Sequence, residues 1–423
     1  MRIGKWTWIC LAALMMGQVC LAADESSSLD DRLAQLEKEI AELKKAPASA
    51  PAAAADSKKK GLFSSVDVQL YGYLKADVSR DSSRATTGNY VLYVDSEATR
   101  RNDAESNMTA NESRLGLNFT GPSSDSLKTS GKLEFDFFGS APENKATLLI
   151  RHAYMNLEWP EAQLSLLAGQ TWDVISPLNP STLNYSVLWV GGNIGYRRPQ
   201  VRLTKDLSVT DKVKVKLEGA LSRTIGRTTP APVSSETGED AGFPTLQGRV
   251  SATFPFFGPK PTTIGISGHS GREEYDIDVS GTNETLKSQS INLDVTQPIC
   301  KWMTLKAELF SGKDLDSYLG GINQGVNTTT LKSIDSEGGW VAASLGPWGK
   351  WSSSIGYGAD NVDRDDVAAG TGRTRNCCLF GNVRYDVNAH AQIGLELSRW
   401  ETNYRGAGDA KDTRVQASFI YKF

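Results

Sequence analysis

From Val66 onward, apolar and polar residues alternate with a period of two. Val68, Leu70, Gly72, Leu74, Ala76 and Val78 take one set of positions; Gln69, Tyr71, Tyr73, Lys75, Asp77 and Ser79 take the other. A helix repeats every 3.6 residues and cannot give this, whereas a strand with one apolar and one polar face does. Leu115, Leu117 and Phe119 likewise oppose Arg114 and Asn118, and Leu133, Phe135 and Phe137 oppose Lys132, Glu134 and Asp136. Ala153, Met155, Leu157 and Trp159 oppose His152, Tyr154, Asn156 and Glu158. The last repeat sets Val415, Ala417, Phe419, Tyr421 and Phe423 against Arg414, Gln416, Ser418 and Lys422. Fainter alternation at 162–172, 261–269, 338–346 and 350–359 completes about sixteen strands in roughly 358 residues, or about 22 residues per strand and connection. Long polar stretches at 80–111, 226–244, 311–337 and 360–375 each follow an odd-numbered strand, so an up-and-down meander gathers them at one end.

The medium on each face decides the fold class. In a soluble sandwich the apolar faces meet each other. In an outer-membrane barrel they meet lipid, and the polar faces line a wet lumen. The N-terminus favours the barrel: Arg2 and Lys5 precede an apolar run from Trp6 to Leu14, followed by small residues at Cys20, Ala22 and Ala23. That reads as a secretory signal peptide spanning 1–23, and the run is too short for a membrane helix. Cleavage takes the formal net charge from −3 to −5 and leaves Cys300, Cys377 and Cys378, with no metal-ligand spacing around them. An acidic chain without a basic face argues against a nucleic-acid partner. The C-terminus supports the barrel as well: Phe419, Tyr421 and terminal Phe423 share one face, an ending like the signal read by the outer-membrane barrel assembly machinery. Trp159, Trp351, Tyr385 and Tyr421 would form interfacial girdles against lipid and lipopolysaccharide. We therefore expect a 16-stranded antiparallel transmembrane β-barrel over 66–423. A secreted sandwich or β-helix is the competing fold.

Between leader and barrel, Leu29, Leu33, Leu36, Ile40 and Leu43 alternate by three and four, the a/d spacing of a coiled coil. Two heptads are marginal as a free helix, so residues 24–45 predict either a bundle of copies held together by the barrel or one helix docked on its own domain. Residues 46–65, rich in Ala and Pro and carrying Lys58-Lys59-Lys60, read as a linker.

Several segments, in order, resemble the DcaP-type porins. They are Leu29–Leu43, Leu70-Tyr-Gly-Tyr-Leu-Lys-Ala-Asp77, Glu112-Ser-Arg-Leu-Gly-Leu-Asn118 and Gly131-Lys-Leu-Glu-Phe-Asp136. Arg151-His-Ala-Tyr-Met-Asn156, Gly169-Gln-Thr-Trp-Asp173 and Pro177-Leu-Asn-Pro180 continue the series, which is densest before residue 205. The resemblance implies a homotrimeric outer-membrane channel with a periplasmic coiled coil, passing small anionic solutes such as dicarboxylates.

In that reading the lumen is the functional site. Porins of sixteen strands fold one loop inward after the fifth strand. The segment 173–192 stands there, with Asp173, Pro177, Asn179, Pro180, Asn184 and Tyr185 as constriction residues. Cations in inward phase are Lys75, Arg114, Lys132, Arg198, Arg202, Lys214, Lys216 and Arg249, followed by Lys306, Arg384, Arg414 and Lys422. Fixed charges in a narrow pore set its selectivity, so this excess predicts mild anion preference, led by Arg114, Lys132, Arg198 and Arg202. No cofactor or metal motif occurs. Asp360-Asn361-Val-Asp363-Arg-Asp365-Asp366 lacks the Gly and distal Glu of an EF-hand and reads as a solvated acidic loop. His152, His269 and His390 lie on separate strands, and only His152 has a phase compatible with a Ser-His-acid site. Two other functions compete with a channel: a barrel that anchors a cell-wall tether and conducts little, and an outer-membrane hydrolase.

Overall fold

A computed structural model describes residues 65–98, 103–140, 145–226, 238–276 and 282–423. The expected signal peptide, the heptads at Leu29, Leu33, Leu36, Ile40 and Leu43, and the linker up to residue 64 lie outside the described residues. Sixteen barrel strands follow one another: β1 (Asp67–Asp81), β2 in two pieces (Glu105–Thr109 and Arg114–Thr120), β3 (Lys128–Asp136) and β4 (Leu149–Trp159). Then come β5 (Leu164–Trp172), β6 (Arg197–Ser208), β7 (Lys214–Ser222), β8 (Thr245–Phe254), β9 (Thr262–Asp276) and β10 (Asn283–Cys300). The series ends with β11 (Met303–Lys313), β12 (Asp335–Trp348), β13 (Trp351–Val362), β14 (Arg373–Asp386), β15 (Ala391–Tyr404) and β16 (Ala410–Lys422). Each pairs antiparallel with its chain neighbour, and β1 pairs with β16 from Tyr73↔Lys422 to Asp81↔Arg414, so the sheet closes with no free edge. Phe423 finishes the seam by exchanging two 3.1 Å backbone hydrogen bonds with Gly72.

The burial pattern is inverted relative to a soluble domain. On β1, Leu70 and Leu74 are 59% and 56% exposed, while Lys75 and Asp81 are 4% and 0% exposed. The same holds on β15, where Leu395 and Leu397 face outward and Glu396 and Ser398 are buried. A continuous apolar outer surface of this extent is a hydrocarbon-facing surface. Phe419, Tyr421 and Phe423 all lie on it. Trp159, Trp351, Tyr385 and Tyr421 sit near the end that carries the short turns, where Trp351 and Tyr385 pack with ring centroids 4.7 Å apart. The described parts of the long connections, 82–98, 223–226, 238–244 and 314–334, lie at the other end, as does the connection 173–196.

Two irregularities depart from strict alternation. In β4 the pairing jumps from Glu134↔His152 to Phe135↔Ile150, leaving Arg151 as an extra residue. This β-bulge turns Arg151 and His152 to the same buried side, whereas period-two counting puts Arg151 on the lipid face. In β2, residues 110–113 leave the ladder, and Glu112 turns back to pair with Lys75. The three cysteines of the barrel, Cys300, Cys377 and Cys378, form no disulfide among the described residues.

Candidate functional site

Loop 173–196 leaves β5 and returns to β6 after crossing the interior. Its base is fixed where Arg198 Nε meets Asp173 Oδ1 at 2.8 Å, and Gln247 Nε2 of β8 donates to the same oxygen at 2.7 Å. Further along, the Leu178 N–H donates to Glu308 Oε1 of β11 at 2.8 Å. The Ser181 carbonyl accepts from Asn382 and Arg384 of β14, each at 2.8 Å. The turn then reaches the far wall. Leu183 and Asn184 donate their N–H groups to the two oxygens of Glu396 at 2.6 and 3.2 Å, and Lys75 Nζ and Gln416 Nε2 donate to the Leu183 carbonyl at 2.8 and 3.0 Å. Finally Tyr185 swings to the opposite side, donating to Asp136 Oδ2 at 3.1 Å and accepting from Arg151 Nη1 at 3.2 Å. Burial pushes the Tyr185 phenol above its ordinary range, which keeps it a neutral donor.

The loop holds this course against its own backbone preferences. Val187 and Val190 have φ of +43° and +54°, a region β-branched residues avoid. Such conformers persist only when surrounding contacts over-determine them. Gly192, at φ +114°, lies so close to β12 that a Cβ there would meet the Gly339 carbonyl oxygen at 2.2 Å. Residues 85–94 and loop 314–334 pack against it as well. Ala85, Val91 and Val94 join Leu188 in an apolar core with Trp340, Phe380 and Trp400 of the wall. The Val190 and Gly195 N–H groups donate to the Leu319 and Tyr318 carbonyls, both at 2.8 Å. These inward aromatics line the side of the lumen bounded by β12–β16 with an apolar cluster, whereas alternation predicts polar faces around a wet lumen.

Inward side chains that keep contact with water cluster on the other wall. Arg114 (β2) and Lys132 (β3) are 20% and 27% exposed, lying over the rings of Tyr73 and Tyr71 at 5.2 and 5.0 Å. Beside them Arg151 binds Glu134 at 2.9 Å and Asp136 at 2.6 Å, and Arg114 approaches the same two acids at 3.7 and 3.9 Å. Lys132 reaches Glu134 at 3.8 Å, so three bases share two acids. Arg202 of β6 continues the row, 3.7 Å from Glu218 and hydrogen-bonded to the Trp172 carbonyl.

The other inward-phased cations are placed differently. Arg198 is 1% exposed, paired with Asp173 and stacked 3.8 Å over Tyr318, so it braces the loop base instead of facing the passage. Lys75 is sealed between Glu112, Asp77 and Leu183, and Arg249 between Asp294 and Glu218. The partners that cover them lie elsewhere in the chain. Lys214 and Lys216 are exposed at the short-turn end, Lys216 lying 3.6 Å from Asp206. Of the expected constriction residues, Asp173, Pro180, Asn184 and Tyr185 are buried in the crossing; Asn179 accepts from Asn193 Nδ2 at 3.0 Å, and Pro177 is exposed. His152 shares a hydrogen bond with Thr171 Oγ1 at 3.0 Å, not with a serine. Arg151 is the residue that sequence reasoning missed. A basic residue at a lipid-facing count was the available signal, since such placement costs about 2–4 kcal/mol at the bilayer midplane.

A closed sixteen-stranded antiparallel barrel, greasy outside and crossed inside by the loop after its fifth strand, is the architecture of the general porins. No protein-family model matches the chain, and no curated protein matches it. Among solved structures it is similar to the outer-membrane channel DcaP of Acinetobacter baumannii: TM-score 0.67, 21% identity, covering 85% of this chain and 98% of that one. It is also similar to the anion-selective porin from Comamonas acidovorans, with TM-score 0.54, 14% identity, and 85% and 100% of the two chains covered. OmpT of Vibrio cholerae in its trimer form gives TM-score 0.52 at 14% identity, with 85% and 100% covered. The chain therefore has the porin fold, and DcaP, the type suggested by its sequence motifs, is among the structures it matches.

Proposed function

We propose that this protein is an outer-membrane diffusion channel for small hydrophilic anions, dicarboxylates among them. The row Arg114, Lys132, Arg151 and Arg202 carries the reading, because Glu134 and Asp136 are the ion-pair partners that three of its bases share. Between low-dielectric walls a residual positive charge is felt along the whole narrow section and raises the local anion concentration. The similarity to an anion-selective porin is consistent with this sign. Dicarboxylates as cargo come from the motif resemblance alone. The same reading includes export through the 1–23 leader, a homotrimer aligned by a periplasmic helix at 24–45, contact with lipid and lipopolysaccharide, and insertion by the barrel assembly machinery through Phe419, Tyr421 and Phe423. Reversal potentials of the purified protein in planar bilayers under a salt gradient test it. A current carried mainly by anions is expected, and cation preference overturns the proposal.

One observation favours a second reading. Ala85, Val91, Val94 and Leu188 pack on Trp340, Phe380 and Trp400 inside the barrel, as they would in a barrel serving mainly as an anchor. Single-channel recording separates the two, since an anchor would conduct almost nothing.

A further inference from the structure

At the base of loop 314–334, three acids are buried together. Asp314 is 0% exposed, Glu273 of β9 1% and Asp316 3%. Both carboxylate oxygens of Asp314 are enclosed and have no hydrogen-bond partner. A buried carboxylate without a partner is rare, because losing its hydration costs several kcal/mol. Asp314 also points at a neighbour of its own sign. A Cβ built on Gly325 would lie 2.3 Å from Asp314 Oδ1 and 2.5 Å from Asp316 Oδ1. The two oxygens are therefore no farther apart than the sum of those lengths, and the bare glycine leaves the space between them open. Burial holds the Asp314 carboxyl well above the ordinary range, and the like charges of Glu273 and Asp316 push it the same way. Tyr275 and Ser288 close the recess, Tyr275 donating to Glu273 at 2.5 Å and Ser288 Oγ to the Asp314 carbonyl at 2.7 Å.

We propose that this recess is a divalent-cation site of the calcium class, with Asp314 and Asp316 as its carboxylate ligands. Oxygen-only donors select a hard cation, and a dry pocket favours calcium over magnesium, which gives up its water reluctantly. No group of three or more His, Cys, Asp or Glu side chains is arranged as a metal centre among the described residues. The remaining coordination positions therefore fall to peptide carbonyls and water, which calcium accepts. Bound there, the cation locks loop 314–334, whose Ser317, Leu319 and Tyr318 carbonyls hold Arg198, Val190 and Gly195 of the crossing segment. The site does not depend on what the lumen passes.

Terbium, a luminescent stand-in for calcium, tests this on the full chain purified in detergent and stripped with chelator. Emission sensitised by Tyr275 and Tyr318 is expected to saturate, to be displaced by calcium, and to be lost in Asp314→Asn and in Asp316→Asn. Heat-modifiable gel migration checks that each variant remains a folded barrel. Wild-type protein that gives no saturable emission, or folded variants that emit as strongly as wild type, overturn the proposal. In those outcomes the two aspartates share a proton instead.

Discussion

The Leu183 N–H donates to Glu396 Oε2 at 2.6 Å, joining the innermost turn of a loop rooted between β5 and β6 to a strand 213 positions later in the chain. Glu396 also accepts from Asn184 N–H and Asn382 Nδ2, so a single carboxylate fixes how far the loop extends across the lumen. Replacing it by alanine leaves three donors searching for partners, at about 1–3 kcal/mol for each that stays buried and unmet. Glu396→Ala is expected to lower the thermal unfolding midpoint and to turn steady single-channel current into flickering current. A quiet channel of unchanged conductance would show that the clasp is dispensable.

Arg114 and Lys132 are the members of the Glu134 and Asp136 cluster that keep the most access to water, with side chains 20% and 27% exposed. Removing both charges in Arg114→Gln/Lys132→Gln takes about 1 kcal/mol of attraction per charge from an anion passing at about 4 Å in a watery lumen. A fall in the anion-to-cation permeability ratio of roughly fivefold or more is expected from reversal potentials. Stability should change little, because neither side chain is sealed.

Arg198 behaves oppositely. Its guanidinium and Asp173 are both enclosed, so Arg198→Ala strands a buried carboxylate and should cost about 3–5 kcal/mol. Thermal unfolding is expected to shift strongly. Among molecules that still fold, the sign of the reversal potential should stay the same. A change of selectivity without loss of stability would return Arg198 to the pore lining.

Asp314 gives a pH signature. A carboxyl whose pKa is raised on folding stabilises the protein below its ordinary pKa, and this is lost as pH rises through the folded value. In chelator the barrel should therefore unfold at progressively lower temperature as pH climbs above the ordinary carboxyl range. Calcium should flatten that slope, and the slope should be shallower in Asp314→Asn than in the wild type. An identical slope in the variant would assign the effect to another group.

The sequence disclosed more of the barrel than of its contents. Strands such as β1 and β16 could be read because lipid outside and water inside impose opposite demands on alternate positions. That period survives in Leu70 and Lys75 whatever the loops do. The crossing segment was legible from its place after the fifth strand and its prolines, but its contacts were not. Glu396, Glu308 and Gln247 look like ordinary lumen residues until the loop reaches them. Counting by twos also fails where the ladder gains a residue, which hid Arg151. Phase alone reports which face a side chain takes and not what lies above it, so buried Arg198 and open Arg114 looked alike. Trp340, Phe380 and Trp400 gave no warning of an apolar interior core for the same reason.

The additional residue in β4 gives the strand an uneven tolerance to shortening. Excising Arg151 would bring Ile150 next to His152 and restore plain pairing with β3, leaving every later side chain of that stave on its present face. Removing any single residue from 153 to 155 would instead turn the segment between the cut and the hairpin inside out, offering Asn156 and Glu158 to lipid. Natural length variation in this strand, if it arises, is therefore expected at residue 151.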